Sequence, residues 1–254
     1  MSDKVVFWDF DGTLAHREGY WSGTVYRVLS ELEPDHGIEH DELRKGFRDT
    51  FPWHAPNDPH PHLSDPDEWW ARIDSTMHAA LVSAGLSEGA ATRIVAASRA
   101  PLVDPASWEV FPDAAPALRR VREAGWANYV LSNHAPELPE IVTGTGLGEH
   151  IDGAVTSATA GYEKPHPEIF RAALRHAGDP RDAWMVGDNP MADVAGAELV
   201  GIPAILVRTE RFDDDYVRMV ERFWGPDFMP GWREHVHRVA RDLHGAADII
   251  LGTD

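Results

Sequence analysis

The sequence has no cysteine, no apolar run long enough to cross a bilayer, and far fewer cations than anions. The absence of cysteine excludes disulfides, thiolate metal ligands and a cysteine nucleophile, so any catalytic group must be an oxygen or a nitrogen. A membrane helix needs about 20 consecutive apolar residues, and the longest runs fall well short of that. With Asp9 already in the first strand no cleaved leader is expected, and the expected location is cytoplasmic. Against 42 acidic residues stand 23 basic ones, a formal charge of -19. Such a surface repels the nucleic-acid backbone and anionic membranes, which argues against either as a partner. It also repels a phosphorylated metabolite at long range, so a substrate of that kind needs local positive charge in its site. A metal ion and a well-placed lysine would supply it.

What is present begins with Val5-Val6-Phe7-Trp8-Asp9-Phe10-Asp11-Gly12-Thr13-Leu14. A continuous apolar run that meets two carboxylates and a glycine reads as a strand buried on both faces, with Asp9 delivered to its carboxyl end. Open α/β sheets place their ligands at that end. Asp9 and Asp11 are two residues apart, and Gly12 lets the chain turn sharply just beyond them. Two carboxylates crowded into one space require a neutralising cation or a shared proton. An ordinary Asp-Gly turn fits this stretch alone equally well, so the choice rests with the rest of the chain.

After Leu14 the apolar spacing becomes helical, over Gly23 to Leu32, His40 to Phe51, Asp67 to Ala84 and Ser87 to Ala100. Between the second and third of these lies a proline-rich stretch, Pro52 to His62, that is expected to be an extended, solvated loop. Its histidines, His54, His60 and His62, lack the spacing of a metal site. Trp69 and Trp70 open the third helix, and adjacent helical positions face different ways, so one is expected in the core and the other facing a substrate or partner. From Phe111 short apolar strands alternate with amphipathic helices. Strands are expected at Ala127 to Leu131, around Ala154-Val155, at Ala183 to Val186 and at Ala204 to Val207, with helices between them. This alternation predicts an α/β fold with a doubly wound, mainly parallel sheet. A long helical segment is expected from Asp213 to His244, and a strand-like run at Ala247 to Leu251.

Each strand that ends in a polar residue ends in one useful to phosphate chemistry. Asp9 and Asp11 follow the first, Ser132 and Asn133 a later one and Asp188 another, with Lys164 on a loop between them and Asp193 in the first turn of the next helix. With Asp9-Phe10-Asp11-Gly12-Thr13-Leu14, Ser132-Asn133, Lys164-Pro165 and Gly187-Asp188-Asn189-Pro190-Met191-Ala192-Asp193 in this order, the chain closely resembles the haloacid dehalogenase (HAD) superfamily. The stretch from Arg211 to His244 matches that resemblance poorly, being longer than the usual link to the final strand. The resemblance implies a Rossmann-like catalytic core over residues 1–17 and 104–254, with an inserted all-helical cap over 18–103. It implies Asp9 as nucleophile, forming an aspartyl-phosphate, and Asp11 as general acid and base. Mg2+ is implied as cofactor, held by Asp9, the Asp11 carbonyl and Asp188, with Asp193 supporting that site or orienting Lys164. Ser132 and Lys164 would bind the phosphoryl oxygens, Gly12, Thr13 and Asn133 would complete the substrate contacts, and Thr13 would also steady the loop. The expected activity is hydrolysis of a small soluble phosphomonoester. The same residues leave open a 2-haloacid dehalogenase, a sugar-phosphate mutase, and a non-catalytic phospho-accepting module.

Overall fold

The computed structural model describes residues 2–47, 51–208 and 231–253. The chain enters through β1 (Lys4–Trp8), turns through Asp9 to Leu14, and forms β2 (Ala15–His16). Four helices follow: α1 (Tyr20–Leu32), α2 (His40–Gly46), α3 (Pro66–Ser83) and α4 (Glu88–Val103). The chain then returns as β3 (Glu109–Val110), which pairs antiparallel with β2. This two-stranded ribbon is the neck through which the helical insert leaves and rejoins the sheet. Alternation resumes with α5 (Ala114–Glu123), β4 (Ala127–Ser132), α6 (Leu138–Gly144), β5 (Gly153–Thr156), α7 (Ser157–Ala160), α8 (Pro167–His176), β6 (Asp182–Gly187) and β7 (Ala204–Leu206).

The sheet runs β5-β4-β1-β6-β7, every described pairing parallel. Because β1 is central, both its faces are buried, and its alternation sorts the core into two layers. Val6 and Trp8 pack with Leu118, Val121 and Ile250, whereas Val5 and Phe7 pack with Ile169, Phe170 and Ala173. The one polar atom of Trp8 is satisfied, its indole N–H donating to Asn128 Oδ1 at 3.0 Å, while the Asn128 amide donates to Leu118 O at 2.9 Å. The strand order reverses about β1, so the carboxyl ends of β4, β1 and β6 meet at a topological switch point.

The insert has a core of its own, in which Leu29, Leu43, Phe47, Ile73, Met77, Leu81 and Ile94 pack together. Asp65 caps α3 by accepting from the amides of Asp67 and Glu68, and Pro66 at the first helical position needs no donor there. Both tryptophans at its start are buried, Trp69 at 0% and Trp70 at 1% exposure, where one was expected in the core and the other against a substrate or partner. They can share the core because Trp70 reaches between elements, donating to Glu137 Oε1 at 2.8 Å under the Arg99 guanidinium.

Three further expectations are corrected. The proline-rich loop is not wholly extended or solvated, for it contains 3-10 turns at Pro52–His54 and Pro61–Leu63, and His60 is buried. Of the helix expected from Asp213 to His244, residues up to 230 lie outside the described set. From 231 onward the chain makes only a short turn, Trp232–His235, and then runs beside β7, where Leu206 pairs with Val239. The strand expected at Ala247 to Leu251 is a helix, Leu243–Leu251, capped by Asp242. Its Leu243, Ala246, Ala247 and Ile250 bury one face at helical spacing against the Val6 and Trp8 layer. No helix among the described residues is long and apolar enough to cross a membrane.

Candidate active site

The loop after β1 is closed by Phe10, whose carbonyl accepts from the amides of Thr13, Leu14 and Ala15. Gly12 makes this possible, with φ of 95°, and a β-carbon there would collide with the Asp188 carboxylate. The backbone of the first motif thus lies directly against the side chain of the last. Gly187 has the same role on β6, since a β-carbon there would overlap Asp193.

Asp9, Ser132, Lys164, Asp188 and Asp193 converge as the motif order implied. Lys164 Nζ, 2% exposed, donates to Asp9 Oδ1 at 2.7 Å, Asp193 Oδ1 at 2.6 Å and the Leu131 carbonyl at 2.8 Å. Three acceptors saturate an ammonium. Ser132 Oγ donates to the same Asp9 oxygen at 2.8 Å, and Thr13 Oγ1 lies 3.3 Å from Asp9 Oδ2 and 3.5 Å from Asp188 Oδ1. Asp193 uses its second oxygen to accept from the Asn189 amide at 2.9 Å. The Asn133 side chain, expected among the substrate contacts, grips the Lys164 main chain from both sides. It accepts from the Lys164 amide at 2.7 Å and donates to the Lys164 carbonyl at 3.1 Å.

Electrostatics follow from this crowding. Burial alone would lower the Lys164 pKa, but the charges of Asp193 and Asp9 outweigh it and hold the ammonium well above its ordinary value. Asp193 is pushed up to about 6 by burial, with Lys164 opposing and Asp9 reinforcing the rise. Half-buried Asp188 is raised well above its ordinary value by burial and by Asp9, Asp193 and Asp11, with Lys164 opposing. Four carboxylates against one ammonium leave an excess of negative charge. Asp9, Asp188 and Asp193 each bring an oxygen within 4.8 Å of the others, and hard oxygen donors in such a cluster suit Mg2+.

The structure adds residues that the sequence reading missed. His60 Nε2 lies 3.1 Å from Glu163 Oε1, and the His60 amide donates to the Gly161 carbonyl, so the insert's loop is fastened to the segment carrying Lys164. Nothing in the spacing of the proline-rich loop signals a partner 103 residues away. Arg17 and His134 are also buried beside the site, packed among Trp21, Trp108 and Phe10. The position of His134, directly after Ser132-Asn133, was the available signal.

A family model described as haloacid dehalogenase-like hydrolase matches residues 4–201. The human haloacid dehalogenase-like hydrolase domain-containing protein 3 is 31% identical over 258 residues, covering 98% of this chain and 96% of that one. A phosphoserine phosphatase of Thermus thermophilus is 40% identical over 102 residues, 39% of this chain and 41% of its own. The solved structure of an L-2-haloacid dehalogenase from Xanthobacter autotrophicus superposes with a TM-score of 0.65 over 99% of both chains at 18% identity, a likeness of fold.

Proposed function

The chain belongs to the haloacid dehalogenase-like hydrolases, and we propose that within them it is a Mg2+-dependent phosphatase acting on a small phosphomonoester. The observation that carries this reading is the convergence of Asp9, Asp188 and Asp193 to within 4.8 Å beside the Lys164 ammonium. Displacing a halide needs neither a cation to offset phosphoryl charge nor an acid to protonate the leaving group. Phosphate transfer needs both, and Asp11 and Asp188 are then accounted for. Resemblance to a chain named phosphoserine phosphatase supports the same side.

The steps follow from the residues. A carboxylate oxygen of Asp9 attacks phosphorus in line as the bond to the ester oxygen breaks, and Asp11 gives its proton to the departing alkoxide. Asp11, now a base, takes a proton from water, which attacks the aspartyl-phosphate, breaks its P–O bond and releases phosphate with Asp9 restored. Lys164 and Ser132, both bonded to Asp9 Oδ1 in the resting site, exchange that bond for one to a phosphoryl oxygen, with Asp193 and Asn133 holding the lysine in place. Mg2+ would be held by the Asp9 and Asp188 carboxylates and the Asp11 carbonyl, and supplies charge neutralisation for the phosphoryl group. Asp193, with both oxygens engaged, acts on Lys164 and the Asn189 loop. Residues 18–103 form the cap and 1–17 with 104–254 the catalytic core, the cap shielding the reacting centre from bulk water.

Hydrolysis of p-nitrophenyl phosphate tests the reading. Activity should require Mg2+, vanish in EDTA and return on adding Mg2+ in excess. Chloride release from 2-chloropropionate that persists in EDTA, without phosphate-ester hydrolysis, would place the chain with the dehalogenases instead.

A further inference from the structure

Arg17 leaves β2 for the insert and is buried, 6% exposed, yet its hydrogen bonding is incomplete. Nη1 donates to the Leu102 carbonyl at 2.8 Å, whereas Nε and Nη2 have no acceptor. Those two nitrogens form one edge of the guanidinium, whose parallel N–H groups match the two oxygens of a carboxylate. The indoles of Trp108 and Trp21 lie over the group, their centroids at 4.5 Å and 5.4 Å. What remains unbonded is the planar fork at its edge.

The neighbouring polar atoms are unpaired as well. His134, 1% exposed, has ring contacts with Phe10, Trp21 and Trp108, and although the Ala135 backbone is close enough to raise its pKa, neither Nδ1 nor Nε2 meets a partner in good hydrogen-bond geometry. The Trp108 indole N–H is likewise without an acceptor. Five buried polar atoms without partners on three side chains in one aromatic cluster are a costly arrangement for a core, and one expected where a ligand completes the bonding. Burial lowers the Arg17 pKa to about 10, with Asp11 opposing the fall, so the group stays cationic and within electrostatic reach of Asp11. Burial and the Arg17 charge bring His134 down to about 3, so its ring is neutral and offers one donor and one acceptor.

We propose that Arg17, with His134 and Trp108, forms a subsite for a carboxylate on the alcohol portion of the substrate, making the substrate class a short phosphorylated hydroxy acid. This rests on the phosphatase reading, in which Asp11 meets the ester oxygen that joins the two ends. A second phosphoryl group fits less well. It is tetrahedral where the guanidinium fork is planar, and it would set a dianion near Asp11 against a single cation.

Matched esters provide the test. With Mg2+, kcat/KM is measured for phosphoglycolate against ethyl phosphate, and for 3-phosphoglycerate against glycerol 3-phosphate. At least one acid should be preferred about thirtyfold, the worth of one charge-assisted bidentate contact. Arg17→Ala should reduce that preference to within about threefold by lowering kcat/KM for the acid alone, and Arg17→Lys, which keeps charge but not the fork, should recover only part of it. Equal wild-type rates on acid and neutral esters would overturn the subsite. So would an Arg17→Ala loss shared equally by both esters, which would assign Arg17 to Asp11 or to the fold, and so would a preference for 1,2-ethanediol bisphosphate over both acids. Binding is read without turnover from the melting temperature in millimolar glycolate, with ethylene glycol as control. Glycolate should protect the wild type and not Arg17→Lys, and no protection of the wild type would count against the subsite. If no ester is hydrolysed but glycolate still protects through Arg17, the phosphatase reading fails and the carboxylate subsite stands.

Discussion

Lys164 and Arg17 are both buried cations at the mouth of the same sheet, and burial acts on them in the same direction. Lys164 meets three acceptors, two of them carboxylates, and its pKa rises in spite of burial. Arg17 meets one carbonyl, and its pKa falls to about 10. The contrast extends to their surroundings. Ser132, Asn133 and Asp193 are each bonded to a partner in the catalytic cluster, whereas the rings of His134 and Trp108 hold polar atoms with no partner. One end of the site is complete before any ligand arrives, as electrostatic preorganisation requires. On the proposed reading the other end is completed by what binds, which puts the chemistry at the strand ends and selectivity at the junction between sheet and insert.

Predictions break this contrast first at its bonded end. Asp9→Asn replaces a nucleophile with an amide and should reduce hydrolysis of p-nitrophenyl phosphate to background, while folding measured by circular dichroism persists. Near-wild-type turnover would remove Asp9 from the chemistry. Lys164→Ala deletes the charge proposed to meet the developing phosphoryl dianion, which should cost about 3 kcal/mol of transition-state stabilisation, a rate loss on the order of a few hundredfold. A change within about twofold in kcat/KM would make Lys164 a structural counterion for Asp9 and Asp193 only.

A smaller effect is expected away from both ends. Asp113 receives Arg208 through both oxygens, at 2.7 and 3.1 Å, and the Leu243 amide at 2.9 Å, which fastens the C-terminal helix to the start of α5. Burial raises its pKa, but the Arg208 bond, the Leu243 amide and the Arg208 charge outweigh that and leave it below 3.8. A carboxylate depressed in the folded state stabilises above its unfolded pKa, and that contribution is lost as pH falls through the folded value. Asp113→Asn should therefore cost about 2 kcal/mol at neutral pH, with the difference from wild type narrowing as the pH drops below 3.8. Urea melts at several pH values measure it, and a constant difference would contradict the assignment.

The strand ends that meet at the candidate site were legible because their signals are local. A buried strand that stops at Asp9, Ser132 or Asp188 shows this within a few residues of sequence, and the parallel sheet brings those ends together. The insert's helices were legible in their apolar spacing. The C-terminal Ala-Ala-Asp-Ile-Ile-Leu run was misread because a short apolar segment suits a strand or a buried helix equally. Its cap at Asp242 and the spacing of Leu243, Ala246 and Ile250 decide for helix. Residues whose roles depend on distant partners could not be read at all. His60 meets Glu163, and Arg17 meets Leu102 and Trp108, only once the insert has folded back over the sheet. Asn133 stood in a recognisable motif, but that its amide holds the Lys164 backbone is a matter of geometry.

If Asp9 carries the phosphoryl group between two displacements, Asp11 is needed as base for the second. An aryl phosphate expels a stable phenolate and needs little help from an acid, so Asp11→Asn should pass the first step and stall at the second. The direct measurement is the mass of the Asp9-containing peptide from Asp11→Asn mixed with p-nitrophenyl phosphate and Mg2+ and quenched in acid. The account predicts a peptide heavier by one phosphoryl group, formed together with a burst of nitrophenolate. An unmodified peptide from a variant that still turns over would mean that water attacks the ester directly, with no aspartyl-phosphate on the path.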